Sequence, residues 1–107
     1  MRVLILSDIH ANLTALDEVL ADAERLQWLG QKGFDAVWSI GDAVGYGPHP
    51  NQCIQRLLQF DGHLRVAGNH DWAVLDRIDL DDFNPVAREM VLWTQNELDA
   101  SSYAYLR

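Results

Sequence analysis

Short apolar runs and longer amphipathic stretches alternate along this chain, and each apolar run ends at turn-forming residues. A short run rich in Val, Ile and Leu that is bounded by turn residues is typical of a strand covered on both faces. The predicted strands cover residues 3–6, 36–40 and 64–67. Segments with a helical spacing of apolar residues follow them, so the order is strand, helix, strand, helix, strand, helix.

The first predicted helix begins at Asn12 or Thr14 and ends near Leu29, where Gly30 supplies a stop signal. Its apolar residues recur with a period that places them on one side, where they would face the core. These residues are Leu16, Val19, Leu20, Ala23 and Leu26.

Two later helices carry Pro at their start. Pro50 opens the second predicted helix, and Asn84 followed by Pro85 opens the third, which should end near Leu98. Residues 101–107 predict another cap and helical turn. The residues of the second helix that should face the core are Cys53, Ile54, Leu57 and Leu58.

This alternation predicts an α/β fold, in which parallel strands are joined by right-handed crossovers and flanked by helices. The carboxyl ends of parallel strands lie at one edge of the sheet, and ligands of open α/β folds bind there. Polar segments follow the predicted strands at residues 7–10, 41–42 and 68–71. We therefore expect polar side chains that are distant in sequence to meet in one crevice. They include Asp8, His10, Asp42, Asn69 and His70.

Composition narrows the classes of function. The chain has 107 residues, 49% of them hydrophobic, which predicts one domain over residues 1–107. Sixteen acidic against eight basic residues give a net charge of -8, which disfavours an extended nucleic acid as partner and favours divalent cations.

Cys53 is the one cysteine, so neither a disulfide framework nor a Cys-based zinc site is expected. The first apolar run is too short for a signal peptide or a membrane span, and we expect a cytoplasmic protein.

The spacing of Asp8 and His10 suits two ligands of one metal ion. In an extended segment, residues two apart point the same way, so both side chains would face the ion while Ile9 enters the core. Carboxylate, amide and imidazole ligands suit Mn, Fe, Zn, Co or Ni better than a structural zinc cage. Gly41 and Gly68, each before a polar residue, would allow a positive φ or a close approach of the backbone.

Structural interpretations of the same residues remain open at this point. Asp8 and His10 can be turn residues, and Asn69 can occupy a left-handed turn position, which Asn tolerates. His49 is expected at the surface, and His63 is expected in a structural role. Packing in or beside the core is expected of Trp28, Trp38, Trp72 and Trp93.

Three segments together resemble a known family. They are SDIHAN at residues 7–12, GDAVGYGP at 41–48 and GNHD at 68–71. Each is common alone, but in this order and at predicted strand ends they resemble the first three signature blocks of the calcineurin-like metallophosphoesterase superfamily, in its small bacterial branch. The resemblance implies the N-terminal half of that family's αββα sandwich.

The resemblance also implies a dinuclear site that hydrolyses phosphate mono- or diesters through a metal-bound hydroxide. The implied metal ligands are Asp8, His10, Asp42 and Asn69. Of these, Asp42 would bridge two metal ions and Asn69 would bind the second. As the implied catalytic residues, His70 would stabilise the transition state or protonate the leaving oxygen, and Asp71 could orient its ring.

The chain departs from the family pattern after its third block. Family members are about twice as long, and their second half supplies further histidines, whereas this chain has none after His70. The first metal ion would keep Asp8, His10 and Asp42, and the second would bind poorly or not at all. An apolar sheet face or helix flank should remain uncovered, so we expect a fragment of a longer chain or a protomer of a homo-oligomer.

Two functional interpretations follow. One is a phosphoric ester hydrolase with a small phosphate-ester substrate, whose complete site holds two divalent metal ions, while this chain alone holds one or none. The other is a non-catalytic domain that binds a metal ion, a nucleotide or a partner in the same crevice. A third and weaker interpretation is an aspartyl-phosphate hydrolase with Asp8 as its nucleophile. Such an enzyme would need a second acidic residue at position 10, where this chain has His10.

Overall fold

A computed structural model describes residues 1–28 and 30–107. A three-stranded sheet and a short two-stranded ladder are combined with five helices in the described part of the chain. In chain order the elements are β1 (Val3–Leu6), α1 (Leu13–Arg25), β2 (Gln27–Trp28), β3 (Gln31–Lys32), β4 (Ala36–Ser39), α2 (Pro50–Leu58), β5 (Leu64–Arg65), α3 (Asn69–Val74), α4 (Pro85–Glu97) and α5 (Ala100–Leu106).

The main sheet is parallel, with the strand order β1–β4–β5. Leu6 pairs with Ser39, which in turn pairs with Arg65, so the carboxyl ends of all three strands reach the same edge. The predicted α/β class with parallel strands and flanking helices is therefore confirmed. The ladder of β2 and β3 is antiparallel and separate from this sheet.

The core lies on one face of the sheet. Val37 of β4 is fully buried there and belongs to the same apolar cluster as Leu20 of α1, Ile54 of α2 and Leu106 of α5. Each fully buried side chain of this kind stabilises the fold by about 1.5–3 kcal/mol relative to an exposed one. The helices thus hold the strands through a continuous cluster on this face.

The opposite face of the sheet is apolar and uncovered. Ile5, Trp38 and Leu64 occupy paired positions on the three strands, so their side chains project to the same side. Ile5 is 55% exposed and Leu64 is 58% exposed, and Ile40 and Val66 beyond the strand ends are also exposed. The prediction that the strands are covered on both faces is wrong for this chain, whereas the predicted uncovered sheet face is confirmed.

Side-chain caps fix the starts of two of the predicted helices, α1 and α4. The Oδ1 atoms of Asn12 and Asn84 each accept a hydrogen bond from the backbone N–H three residues later, at 3.0 and 2.8 Å. The helix α1 ends at Arg25, before the predicted end, and β2 and β3 follow it. The predicted final residue, Leu29, lies outside the described residues.

Several local predictions were wrong. The third strand is shorter than predicted, the helix α3 was not predicted, and Asp99 rather than Ser101 caps α5 by accepting the Ser102 N–H at 2.8 Å. Three residues expected in the core are exposed, and they are Val19, Leu26 and Leu58. No helix in the described ranges is long and apolar enough to cross a membrane.

The tryptophans differ from one another in exposure. Trp38 is half-buried in β4, whereas Trp72 is 46% exposed and Trp93 is 39% exposed. The packing prediction therefore holds for Trp38, whereas Trp72 and Trp93 keep a large part of their surface exposed. The side chain of Trp28 lies outside the described part of the chain.

Candidate metal centre

Asp8 and His10 lie in the turn that follows β1, and the backbone there is not extended. Their φ angles are 56° and 48°, in the left-handed region. The Asp8 N–H donates to the Gly41 carbonyl at 3.0 Å, and the His10 N–H donates to the Asp42 carbonyl at 2.9 Å. A tight turn that is hydrogen-bonded to the loop after β4 therefore brings the two side chains together. The prediction that they project to the same side of an extended segment is wrong. Ile9 between them is buried, as predicted.

Asp42 occupies the corresponding position after β4, also with a left-handed backbone, at a φ of 57°. Its Oδ1 accepts the His70 backbone N–H at 3.0 Å, which joins the second and third polar segments. A Cβ on Gly68 would overlap the Asp42 carboxylate, so only Gly allows this approach. Gly41 has a φ of 123°, and the expectation for both glycines is confirmed.

The side chains of Asp8, His10 and Asp42 converge at this edge of the sheet. One possible ligand atom from each lies within 4.8 Å of the others. His10 Nε2 is 3.5 Å from Asp8 Oδ1 and 3.9 Å from Asp42 Oδ2. Two carboxylates this close repel each other, and a cation between them offsets that repulsion.

The hydrogen bonding of His10 suits a metal ligand. Its Nδ1 lies 3.0 Å from the backbone carbonyl oxygen of Val44, which can only accept, so Nδ1 carries a proton. In the neutral ring, Nε2 then presents a lone pair to the two carboxylates. Metal-binding histidines commonly donate their second ring N–H to such a carbonyl. The donor set of this centre therefore fits a divalent cation.

Asp8 is the exposed member of this centre. The Ser7 hydroxyl donates to Asp8 Oδ2 at 2.6 Å, and this hydrogen bond is the main reason why the pKa of Asp8 is lowered. The adjacent His10 lowers it further. Asp8 is therefore ionised at neutral pH, as a carboxylate ligand must be.

His70 lies directly beside the centre and is 7% exposed. Its ring centroid is 4.9 Å from that of His10, 4.8 Å from Tyr46 and 5.1 Å from Phe83. Burial disfavours the charged imidazolium and lowers the pKa of His70. Its buried Nδ1 has no hydrogen-bond partner within the described ranges.

Asp71 has a different set of contacts from the one expected. Its buried carboxylate accepts the backbone N–H groups of Asp42 at 2.8 Å, Val44 at 3.2 Å and Gly68 at 2.9 Å. No hydrogen bond joins this carboxylate to the His70 ring among the residues that the structure describes. Asp71 therefore holds two loops together, and its burial raises the pKa of its carboxyl group.

Asn69 is exposed at the first position of α3. The alternative that it occupies a left-handed turn is wrong, because its backbone is helical. It lines a cleft of about 170 Å³ together with Tyr46, His70 and Phe83. Its role as a ligand of a second metal ion remains a prediction.

The other two histidines do not belong to the group of possible metal ligands found in the described part of the chain. His63 Nδ1 is 2.8 Å from the Val37 carbonyl, and Nε2 is 2.9 Å from the Tyr105 hydroxyl, so the predicted structural role is confirmed. His49 is half-buried directly before α2.

The sequence interpretation missed two aromatic neighbours of the centre. Tyr46 belongs to the quoted GDAVGYGP segment, which could have drawn attention to it. Phe83 carries no comparable sequence pattern, because a 3₁₀ turn at Leu80–Asp82 brings it to His70 only in three dimensions.

Comparisons with known proteins agree with this geometry. Residues 1–104 match the calcineurin-like phosphoesterase family. An uncharacterized protein of Methanocaldococcus jannaschii is 36% identical over 104 residues, which cover 97% of this chain and 40% of that protein. The crystal structure of a metallophosphoesterase from Sphaerobacter thermophilus is 48% identical with a TM-score of 0.75, covering 99% of this chain and 40% of that one.

A further solved structure, assigned provisionally as a diadenosine tetraphosphatase, is 27% identical with a TM-score of 0.71 and covers 98% of this chain. This chain spans only 41% of that structure, a share close to the other two. The family match extends over almost the whole chain, and its polar segments converge on one centre. This chain therefore belongs to the calcineurin-like phosphoesterase family.

Proposed function

We propose that this protein is a metal-dependent phosphoesterase that hydrolyses phosphate mono- or diesters. The observation that carries the proposal is the convergence of Asp8, His10 and Asp42 within 4.8 Å, with His70 beside them. Family membership supports phosphoester hydrolysis in general. We further propose Mn, Fe, Zn, Co or Ni as the metal, a small-molecule phosphate ester as the substrate and a cytoplasmic location.

The residues of the centre would have different roles in metal binding. Asp8, His10 and Asp42 would hold one divalent ion, and Asp42 and Asn69 would contribute to a second. Bound divalent ions polarise phosphate oxygens and lower the pKa of water. The Val44 carbonyl keeps the His10 proton on Nδ1, which leaves Nε2 free to act as a ligand.

His70 would act on the substrate. Because burial lowers its pKa below the ordinary value of 6.5, the ring is neutral near pH 7. A neutral imidazole has one N–H, which can donate to a phosphate oxygen as negative charge develops there. Protonation of the departing oxygen would instead require the imidazolium form of His70, which its burial disfavours.

Metal binding tests the first part of this proposal. We expect wild-type protein to bind Mn²⁺ in isothermal titration calorimetry and Asp42→Ala to lose that binding, because a shared carboxylate ligand is removed. Asp42→Asn keeps an acceptor for the His70 backbone N–H, so a loss of Mn²⁺ binding in this variant would not be due to unfolding. Asp61→Ala, a change at an exposed aspartate, is the matched control. Unchanged affinity in both Asp42 variants would remove this residue from the site.

The alternative proposal is a non-catalytic domain that binds a metal ion, a nucleotide or a partner in the same crevice. For the isolated 107-residue chain we expect little turnover of bis-p-nitrophenyl phosphate with Mn²⁺, because the second ion has few ligands here. A time course at saturating substrate measures this directly. Robust turnover that Asp42→Ala abolishes would contradict the missing-ligand argument and the alternative with it.

A further inference from the structure

Tyr46 has a backbone conformation that is unusual for a bulky residue. Its φ is 63°, in the left-handed region. At both of its neighbours the loop backbone approaches the site closely, since a Cβ on Gly45 would overlap the His70 ring and one on Gly47 would overlap the His10 carbonyl. The loop is thus held between the two histidines. Strained positions of this kind concentrate at functional sites.

The Tyr46 ring stands at the centre of the site. Its centroid is 5.1 Å from that of His10 and 4.8 Å from that of His70. It lines both the cleft of about 170 Å³ beside Asn69 and a larger cleft of about 450 Å³ that includes Asp8 and His10. The residue is nevertheless 45% exposed, so much of this ring is available for contact.

The larger cleft suits the organic part of a substrate. Its walls include the apolar side chains of Leu16, Val19 and Pro48, and its polar residues include Asp8 and His10. Its volume lies in the range of small-molecule pockets, which combine apolar walls with a few polar groups. An ester with its phosphate at the metal centre could place its organic group against these walls and Tyr46.

We propose that Tyr46 contacts the organic group of the substrate and gives the site a preference for phosphate esters of planar aromatic groups over alkyl esters. The inference rests on the proposed phosphoesterase function. Aromatic rings attract one another in offset or edge-to-face arrangements beyond the effect of buried area, and an alkyl group lacks this interaction.

The test compares phenylphosphonate with methylphosphonate, which resemble the two ester classes and are not hydrolysed. Affinities are measured by calorimetry in the presence of Mn²⁺ for wild type, Tyr46→Phe and Tyr46→Asn. Asn removes the ring and tolerates a left-handed backbone, so the loop should keep its conformation. Trp93→Leu, which removes an exposed aromatic ring outside both clefts, is the matched control.

We expect Tyr46→Asn to lose about three- to tenfold in affinity for phenylphosphonate and little for methylphosphonate, while Tyr46→Phe and Trp93→Leu keep the wild-type ratio. If wild type binds both ligands and the ratio is the same in Tyr46→Asn, the inference about Tyr46 is wrong and the proposed function stands. If wild type binds neither ligand with Mn²⁺, both fail. Should Tyr46→Asn not fold, Tyr46→Gly, which adopts the same positive φ without strain, decides by the same ratio.

Discussion

Left-handed backbone conformations concentrate at the candidate centre. Asp8, His10, Asp42 and Tyr46 all have φ angles between 48° and 63°. Such conformations are uncommon for non-glycine residues and persist where the surroundings fix them. Here the fixing contacts include backbone hydrogen bonds between the loops after β1 and β4. The ligand geometry is therefore preformed by the polypeptide.

Cys53 is a residue whose burial lowers the reactivity of its thiol. It is fully buried in α2, as predicted, and burial together with the nearby Asp17 raises the pKa of its thiol to about 12. We expect no reaction of native Cys53 with a thiol reagent at pH 8, and rapid reaction after unfolding in urea. Rapid reaction of the native protein would contradict this burial.

The same shift predicts a loss of stability at alkaline pH. The pKa of Cys53 is about 12 in the folded protein against a model value of 9.0, so the folded state binds more protons between these pH values. The resulting contribution to the free energy of unfolding is fully present below pH 9 and is lost as the pH rises toward 12. Urea unfolding at pH 8 and pH 10.5 should show a smaller decline for Cys53→Ala than for wild type.

At the scale of elements, Asp71 connects the loop after β4 with the start of α3. Three backbone N–H groups donate to its buried carboxylate, and one of them belongs to Asp42. Its location in GNHD made it a candidate catalytic residue, yet its contacts are those of a residue that positions Asp42, a proposed metal ligand. A change at Asp71 should therefore act on both stability and metal affinity.

We expect Asp71→Ala to lower the free energy of unfolding by about 2–4 kcal/mol, because three backbone N–H groups lose a buried acceptor. Mn²⁺ affinity should fall with it, since the Asp42 backbone is no longer fixed. Asp71→Asn keeps the size of the side chain but lacks the second acceptor oxygen. Its stability and Mn²⁺ affinity should lie between those of wild type and Asp71→Ala. Urea unfolding and calorimetry measure these effects, and an Asp71→Ala variant as stable as Asp61→Ala would contradict the role.

At the scale of the whole molecule, the uncovered sheet face is the largest departure from a self-sufficient domain. Burying such apolar surface gives about 25 cal/mol per Å², so the face favours any partner that excludes water from it. The three relatives described above are longer than this chain, which spans 40% or 41% of their lengths. Further chain or a second copy remains a proposal for what covers the face.

We expect the isolated 107-residue chain to self-associate at micromolar concentration, because Ile5 and Leu64 expose apolar surface. The double variant Ile5→Lys with Leu64→Lys should be monomeric in sedimentation equilibrium. Leu92→Lys, which charges an exposed leucine of α4 outside this face, is the control and should associate as wild type does. A monomeric wild-type chain would contradict the expectation.

Local sequence patterns were sufficient for most of the elements. The apolar runs identified the three parallel strands, and the caps Asn12 and Asn84 located two helix starts, because both effects act over a few residues. The polar segments after those strands identified Asp8, His10 and Asp42 as residues that meet, since parallel topology brings strand ends to one edge.

Other features were decided only by tertiary structure. The sequence could not show that Asp71 binds backbone groups of two loops, that Phe83 packs on His70, or that Tyr46 lines two clefts. Nor could an apolar strand reveal which of its faces is covered, because the hydrophobic pattern is the same whether or not a partner is present. These properties depend on contacts between residues distant in sequence, and only the folded arrangement determines those contacts.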